Sequence, residues 1–185
     1  MKKYLNYWLL TLCLYLCGTA RAEQVTLTPQ QIKAITPAWK GERSPDGRPK
    51  VSDALLKRLK NISIEEAWGI LRSRGYHNQF EGEWMLLRAD QVMTGRVVTA
   101  QYMPLRPDMD SVVKNKGKAE GRIGAPNSWP IDVLSNGDVY VADSYGKVVD
   151  GTLIGDNLGN SIYAKSKNGV IFYGSVRDME GLEEI

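Results

Sequence analysis

The sequence predicts an α/β fold, and three observations carry that reading. Residues 93–103 and 139–143 are rich in β-branched and alternating apolar positions, as strands are. Residues 64–75 and 157–167 carry helical signatures bounded by capping and stop residues. Residues 170–176 are a nearly continuous apolar run, the mark of a strand covered on both faces. Strand, helix and strand in that order between 139 and 176 also predict a βαβ unit with a right-handed crossover.

Taken from the start, residues 1–22 read as a targeting segment. Lys2 and Lys3 form a positive region, residues 4–17 a mostly apolar run, and Ala20-Arg21-Ala22 the small-x-small pattern a signal peptidase needs. The mature chain is expected to begin at Glu23 and to be exported, to the periplasm or beyond the cell. The apolar run falls short of the about 20 residues a membrane span takes. Leu12 and Leu16 precede Cys13 and Cys17 where lipid attachment needs a small residue, so no stable membrane anchor is expected. The formal charge of +3 comes from 24 basic and 21 acidic residues. The segment holds Lys2, Lys3 and Arg21 and no acid, so its removal leaves the charges balanced. A basic surface for nucleic acid is therefore not expected. Both cysteines leave with it, which excludes a cysteine nucleophile and a thiolate zinc site.

Residues 23–50 read as an arm punctuated by Thr28-Pro29, Thr36-Pro37, Ser44-Pro45-Asp46-Gly47 and Arg48-Pro49, with no room for a long regular element. Trp39 is its expected anchor on a neighbouring surface. Ser52 caps a helix over 53–59 with Leu55, Leu56 and Leu59 on one face. Ser63 and Glu66 have capping-box spacing before Ala67, Trp68, Ile70 and Leu71, and Gly75 stops that helix. Both helices are expected to face the core. The strand at 93–103 ends at Pro104, and residues 114–128, rich in Gly, Lys and Asn, read as a mobile surface loop. A short helix over 131–134 precedes the strand opened by Gly137-Asp138, and Asn168-Gly169 ends the 157–167 helix. His77, the one histidine, reads as structural. Trp68, Trp84 and Trp129 read as core or interface rather than as a stacking platform for bases.

Two places carry candidate chemistry. Gly155-Asp156-Asn157-Leu158 sits where a loop becomes a helix, and exposed amides at such an end attract anions. Arg177-Asp178 directly follows the apolar run, where α/β folds place ligands. An arginine fork holds a carboxylate bidentately, and an aspartate is a hard ligand suited to Mg²⁺ or Mn²⁺. An ordinary helix cap and a surface ion pair are the alternative readings of these residues. Asp156 and Arg177 are separated by 20 residues, a helix and a strand, which is expected to bring both features to one sheet edge.

These segments, with Gly137-Asp138-Val139-Tyr140-Val141-Ala142-Asp143, Gly155-Asp156-Asn157-Leu158 and Gly174-Ser175-Val176-Arg177-Asp178 at their centre, resemble the RraA-like family. That family includes 4-hydroxy-4-methyl-2-oxoglutarate aldolases with oxaloacetate decarboxylase activity and the cytoplasmic regulator of ribonuclease activity. Gly95-Arg96-Val97-Val98-Thr99 resembles its earlier strand. The likeness covers 62–185, leaving 23–61 as an N-terminal extension with a short helix. It implies a swivelling-type α/β/β/α sandwich and a homotrimer with sites between subunits. Carried over by position, Gly155, Asp156, Asn157 and Leu158 bind the carboxylate of a small 2-oxo acid through backbone amides. Arg177 binds the same acid and steadies the developing enolate, Asp178 holds Mg²⁺ or Mn²⁺, and Asp156 positions a proton-carrying water. Lys165 and Lys167 read as solvated, and no Schiff base is needed. Family members continue past this point, whereas this chain stops at Ile185, so the fold is expected to be incomplete at its C-terminus. Glu180, Glu183 and Glu184 read as a solvated acidic tail. The implied function is a metal-dependent carbon–carbon lyase. The alternatives are a non-catalytic binding or regulatory member and an inactive truncated one.

Overall fold

The computed structural model describes residues 26–185, which fall into two compact units divided in sequence between Pro49 and Lys50. The expected signal segment, residues 1–22, lies outside the described residues. Among the described residues no helix is long and apolar enough to cross a membrane.

The first unit holds helix α1, Pro29–Ile35. Thr28 Oγ1 accepts from the Gln31 amide at 3.1 Å, and Gln31 Oε1 accepts from the Thr28 amide at 2.8 Å. Thr28-Pro29 thus starts a helix where the sequence suggests a turn. A proline at the first helical position is already set to helical φ and lacks an amide that would go unpaired there. Arg43 then ties the unit together, donating to Thr36 Oγ1, the Thr36 carbonyl and the Gly47 carbonyl at 2.8, 2.7 and 2.8 Å. The Trp39 indole donates to the Glu42 carbonyl at 2.8 Å.

The second unit begins with α2, Asp53–Leu59, capped by Ser52, and α3, Ile64–Ser73, closed at its start by the reciprocal Ser63–Glu66 box. Gly75 ends α3 with φ +86°, a left-handed turn that glycine adopts without strain. The expectation that both helices face the core is corrected. Among their residues only Leu56 is buried, and Ile70 is 60% exposed. A helical apolar stripe specifies a face that favours cover, not the surface that supplies it. Trp68 instead packs locally, 6.1 Å from the Phe80 ring and under the Arg72 guanidinium.

Three strands, β1 (Arg96–Gln101), β2 (Asp138–Asp143) and β4 (Val170–Tyr173), form a parallel sheet in the order β1-β2-β4. Arg96 pairs with Asp138 and Tyr140 with Val170 in register. A second parallel pair joins β3 (Thr152–Ile154) to β5 (Ser175–Val176). The fold is α/β. Its core gathers Val98, Tyr140 and Ala142 from the larger sheet around Ile131, Leu134, Ile154 and Ile162.

Two expectations change here. Residues 114–128 are not a loop throughout, because α4 runs Pro107–Ala119. Pro107 begins it, Asp108 and Asp110 stand at its positive end, and Lys116 and Lys118 at its negative end. Its Gly117 lies against the buried ring of Trp129, which opens the short helix α5, Trp129–Asp132. The apolar run 170–176 is not one strand covered on both faces: Ile171 and Tyr173 are exposed, and the chain leaves the larger sheet at Gly174 to pair with β3. Trp129 is buried as expected, whereas Trp68 and Trp84 are exposed. Helix α6, Asp156–Ser166, links β3 to β4, and α7, Met179–Glu183, follows β5. The expected acidic tail is therefore partly structured. Glu180, Glu183 and Glu184 are exposed, but Leu182 packs on α6 at Gly159.

Candidate active site

Because β3 and β5 are parallel, their carboxyl ends leave the same edge of the smaller sheet. Ile154 leads through Gly155 into α6, and Val176 leads through Arg177-Asp178 into α7. The Arg177 amide donates to the Ile154 carbonyl at 3.1 Å, which extends the pairing one residue and fixes where the arginine emerges. The two predicted features therefore come together. They do so on the smaller sheet, after the apolar run has changed partners.

Arg177 Nε lies 3.3 Å from Asp178 Oδ2, with the two side chains 73% and 49% exposed. A Cβ on Gly155 would lie 2.5 Å from that same Oδ2 and 3.1 Å from Arg177 Nε, so this close approach needs glycine. Asp178 sits in the left-handed region at φ 56°, a conformation that aspartate adopts more readily than most residues. Asp156 Oδ1 accepts from the Asn157 amide at 2.6 Å, so one of the expected anion-binding amides is occupied by the neighbouring carboxylate. Leu158 packs on the core as well as facing the site. Lys165 is not simply solvated: it lies 3.2 Å from Asp132 Oδ1, away from this edge.

A pocket of about 120 Å³ opens here, lined by the predicted Gly155, Asp156, Asn157, Leu158 and Arg177. Drug-sized ligands occupy roughly 300–1,000 Å³, so this pocket has room only for a small molecule. Asp178 stands beside Gly155 rather than in the lining. Asn127, Thr152 and Leu153 also line the pocket, and the sequence reading missed all three. Nothing local marks them: Asn127 lies in a segment read as loop, and β3 is too short for a periodic signal. Behind Asn127, its carbonyl accepts from the Tyr102 hydroxyl at 3.5 Å, and Tyr102 meets the Tyr140 hydroxyl at 2.7 Å. Burial pushes both phenols above their ordinary range. The bond to Tyr102 raises Tyr140 further, and the bond to Tyr140 partly offsets the rise at Tyr102.

The donor chemistry limits which metal suits this edge. Among the described residues there is no group of three or more His, Cys, Asp or Glu side chains able to hold an ion. Mg²⁺ keeps several waters and binds through one or two carboxylates plus substrate oxygens, which the half-exposed Asp178 carboxylate fits.

The RraA-like family model (Aldolase/RraA) matches residues 48–185. No curated protein matches the chain. A solved structure from Streptomyces coelicolor, RraAS2, described as an unusual member of the RNase ES inhibitor RraA protein family, shares the fold with a TM-score of 0.51 and 21% identity. The match covers 78% of this chain and 61% of that one, so this chain spans less than two thirds of that protein's length.

Proposed function

The chain belongs to the RraA-like family, and from that premise we propose that it is a divalent-metal-dependent lyase of small 2-oxo acids. The reaction is retro-aldol cleavage of 4-hydroxy-4-methyl-2-oxoglutarate-type acids, oxaloacetate decarboxylation, or both. The observation that supports this reading is the meeting of the α6 amino end and Arg177 at one small pocket, with Asp178 beside Gly155 at its edge.

In this reading Asp178 would hold Mg²⁺ or Mn²⁺, in part through water. A divalent ion held there would supply Lewis-acid stabilisation of the enolate left by carbon–carbon cleavage. Arg177, largely exposed and anchored through its backbone to Ile154, directs its guanidinium donors at the substrate carboxylate and the developing negative charge. The amides at the start of α6 add fixed positive potential without reorganising. Gly155 keeps the backbone close enough for both. Asp156, which lines the pocket, positions a water that moves the proton. A homotrimer and export from the cell belong to this reading.

The test is pyruvate release from oxaloacetate and from 4-hydroxy-4-methyl-2-oxoglutarate, with Mg²⁺ and with EDTA. Turnover is expected with Mg²⁺ alone, falling about 10²–10³-fold in Arg177→Ala and Asp178→Ala. A folded wild-type protein that turns over neither acid overturns the reading. A second reading, a non-catalytic protein-binding role, is favoured by the exposed apolar residues Ile64, Ile70 and Leu71 of α3. It gains if that assay is blank.

A further inference from the structure

Arg177 and Asp178 are neighbours in sequence, and in an extended chain neighbouring side chains point to opposite faces. Here Asp178 turns into the left-handed region, at φ 56° and ψ 45°, and its Oδ2 comes within 3.3 Å of Arg177 Nε. Both atoms lie against Gly155, which lines the pocket: a Cβ there would stand 2.5 Å from the carboxylate oxygen and 3.1 Å from the nitrogen. Among the described residues Asp178 is the one ion-pair partner of Arg177, and the guanidinium makes no aligned hydrogen bond. The chain's own carboxylate thus stands where a substrate carboxylate has to be met. The side chains are 73% and 49% exposed, so the pair is weak enough to exchange partners. While they are paired the two charges cancel, and an arriving anion meets no net charge. With a divalent cation on Asp178, the same anion meets a strongly positive edge.

We propose that Asp178 couples metal binding to acid binding: without metal its carboxylate competes with the acid's for Arg177, and in holding a divalent cation it releases Arg177 to the acid. This rests on the lyase reading and adds an order to it, metal before acid. It also adds a coupling, since each ligand then strengthens the other's binding by the same factor. No covalent bond changes; only the partner of one carboxylate does.

The experiment titrates pyruvate into the full chain and follows the Gly155 amide resonance by NMR. It compares wild type, Asp178→Asn, Arg177→Ala and Arg177→Ala/Asp178→Asn. Asparagine keeps the shape and tolerates the left-handed turn but carries no charge. In EDTA, Asp178→Asn is expected to bind pyruvate about two- to fivefold more tightly than wild type, the scale of an exposed ion pair. Removing a metal ligand thus improves metal-free binding, which an aspartate that only holds metal does not do. Added Mg²⁺ is expected to tighten binding in wild type and to leave Asp178→Asn unchanged. The gain from asparagine is expected to vanish in the Arg177→Ala background. Two results overturn the inference: Asp178→Asn binding no more tightly than wild type in EDTA, or an equal gain without Arg177. Turnover in the pyruvate-release assay keeps the lyase reading standing in both cases. A blank in that assay overturns the lyase reading, and this inference with it.

Discussion

Tyr102 and Tyr140 meet through a single 2.7 Å hydrogen bond, and Tyr140 is 1% exposed. Tyr102 also reaches a carbonyl, at Asn127, so the assignment that satisfies both contacts has Tyr140 donating to Tyr102. Tyr102→Phe removes that acceptor and leaves a buried hydroxyl unmatched. It is expected to cost roughly 1–3 kcal/mol in urea unfolding, with Tyr102→Phe/Tyr140→Phe recovering most of the loss. The pH dependence follows from the same burial. Both phenols are held above the ordinary value of 10.0, so the folded state keeps protons that the unfolded state releases once pH passes about 10. Their contribution is complete below pH 10 and is lost as pH rises further. The double variant is expected to unfold at higher alkaline pH than wild type, followed by circular dichroism. Neither tyrosine was legible as a pair in the sequence, since 38 residues separate them and only the β1–β2 pairing brings them together.

At the scale of elements, capping chemistry was the most readable signal and burial the least. The Ser52 and Ser63 caps stand where the sequence puts them because a cap is decided within four residues. Helix α4 was hidden because Gly117 and a run of lysines suggest loop, yet the glycine is there for packing. A Cβ on Gly117 would fall among the ring carbons of Trp129, the nearest at a distance no van der Waals contact allows. Gly117→Ala therefore sets a helix-propensity gain of about 1 kcal/mol against an overpacking cost of roughly 1–3 kcal/mol. The expected outcome is net destabilisation with altered tryptophan fluorescence. Gly117→Ala/Trp129→Leu, with a smaller residue at 129, is expected to reverse the sign of the glycine substitution's effect.

Across the second unit, one arginine bridges several segments distant in sequence. Arg96 donates to the Val51 carbonyl at 2.8 Å, Asp53 Oδ1 at 2.7 Å and the Asn136 carbonyl at 2.6 Å, and lies 3.5 Å from the buried Asp138. It joins the start of α2 to the entry of β2 from the first position of β1. Arg96→Ala takes the guanidinium from a carboxylate only 1% exposed and is expected to cost about 3 kcal/mol in thermal or urea unfolding. Arg96→Ala/Asp138→Asn, which removes the buried charge as well, is expected to regain part of that. Family resemblance flagged the Gly95-Arg96 strand but not this role, which depends on partners 40 or more residues away.

The sequence by itself determined the α/β class, the helix caps, and the Asp156–Arg177 spacing that pairs an α6 amino end with an Arg-Asp loop. Each is written in local periodicity, short-range hydrogen bonding or countable separation. Only the tertiary structure decided that the 170–176 run divides at Gly174 between two sheets, because apolar character marks a strand without naming its partner. It also decided that Thr152 and Asn127 wall the pocket and that α3 leaves its apolar residues exposed. Pocket walls and buried faces are made by segments distant in sequence, and their identity is fixed by strand pairing and packing rather than by any residue's own propensity.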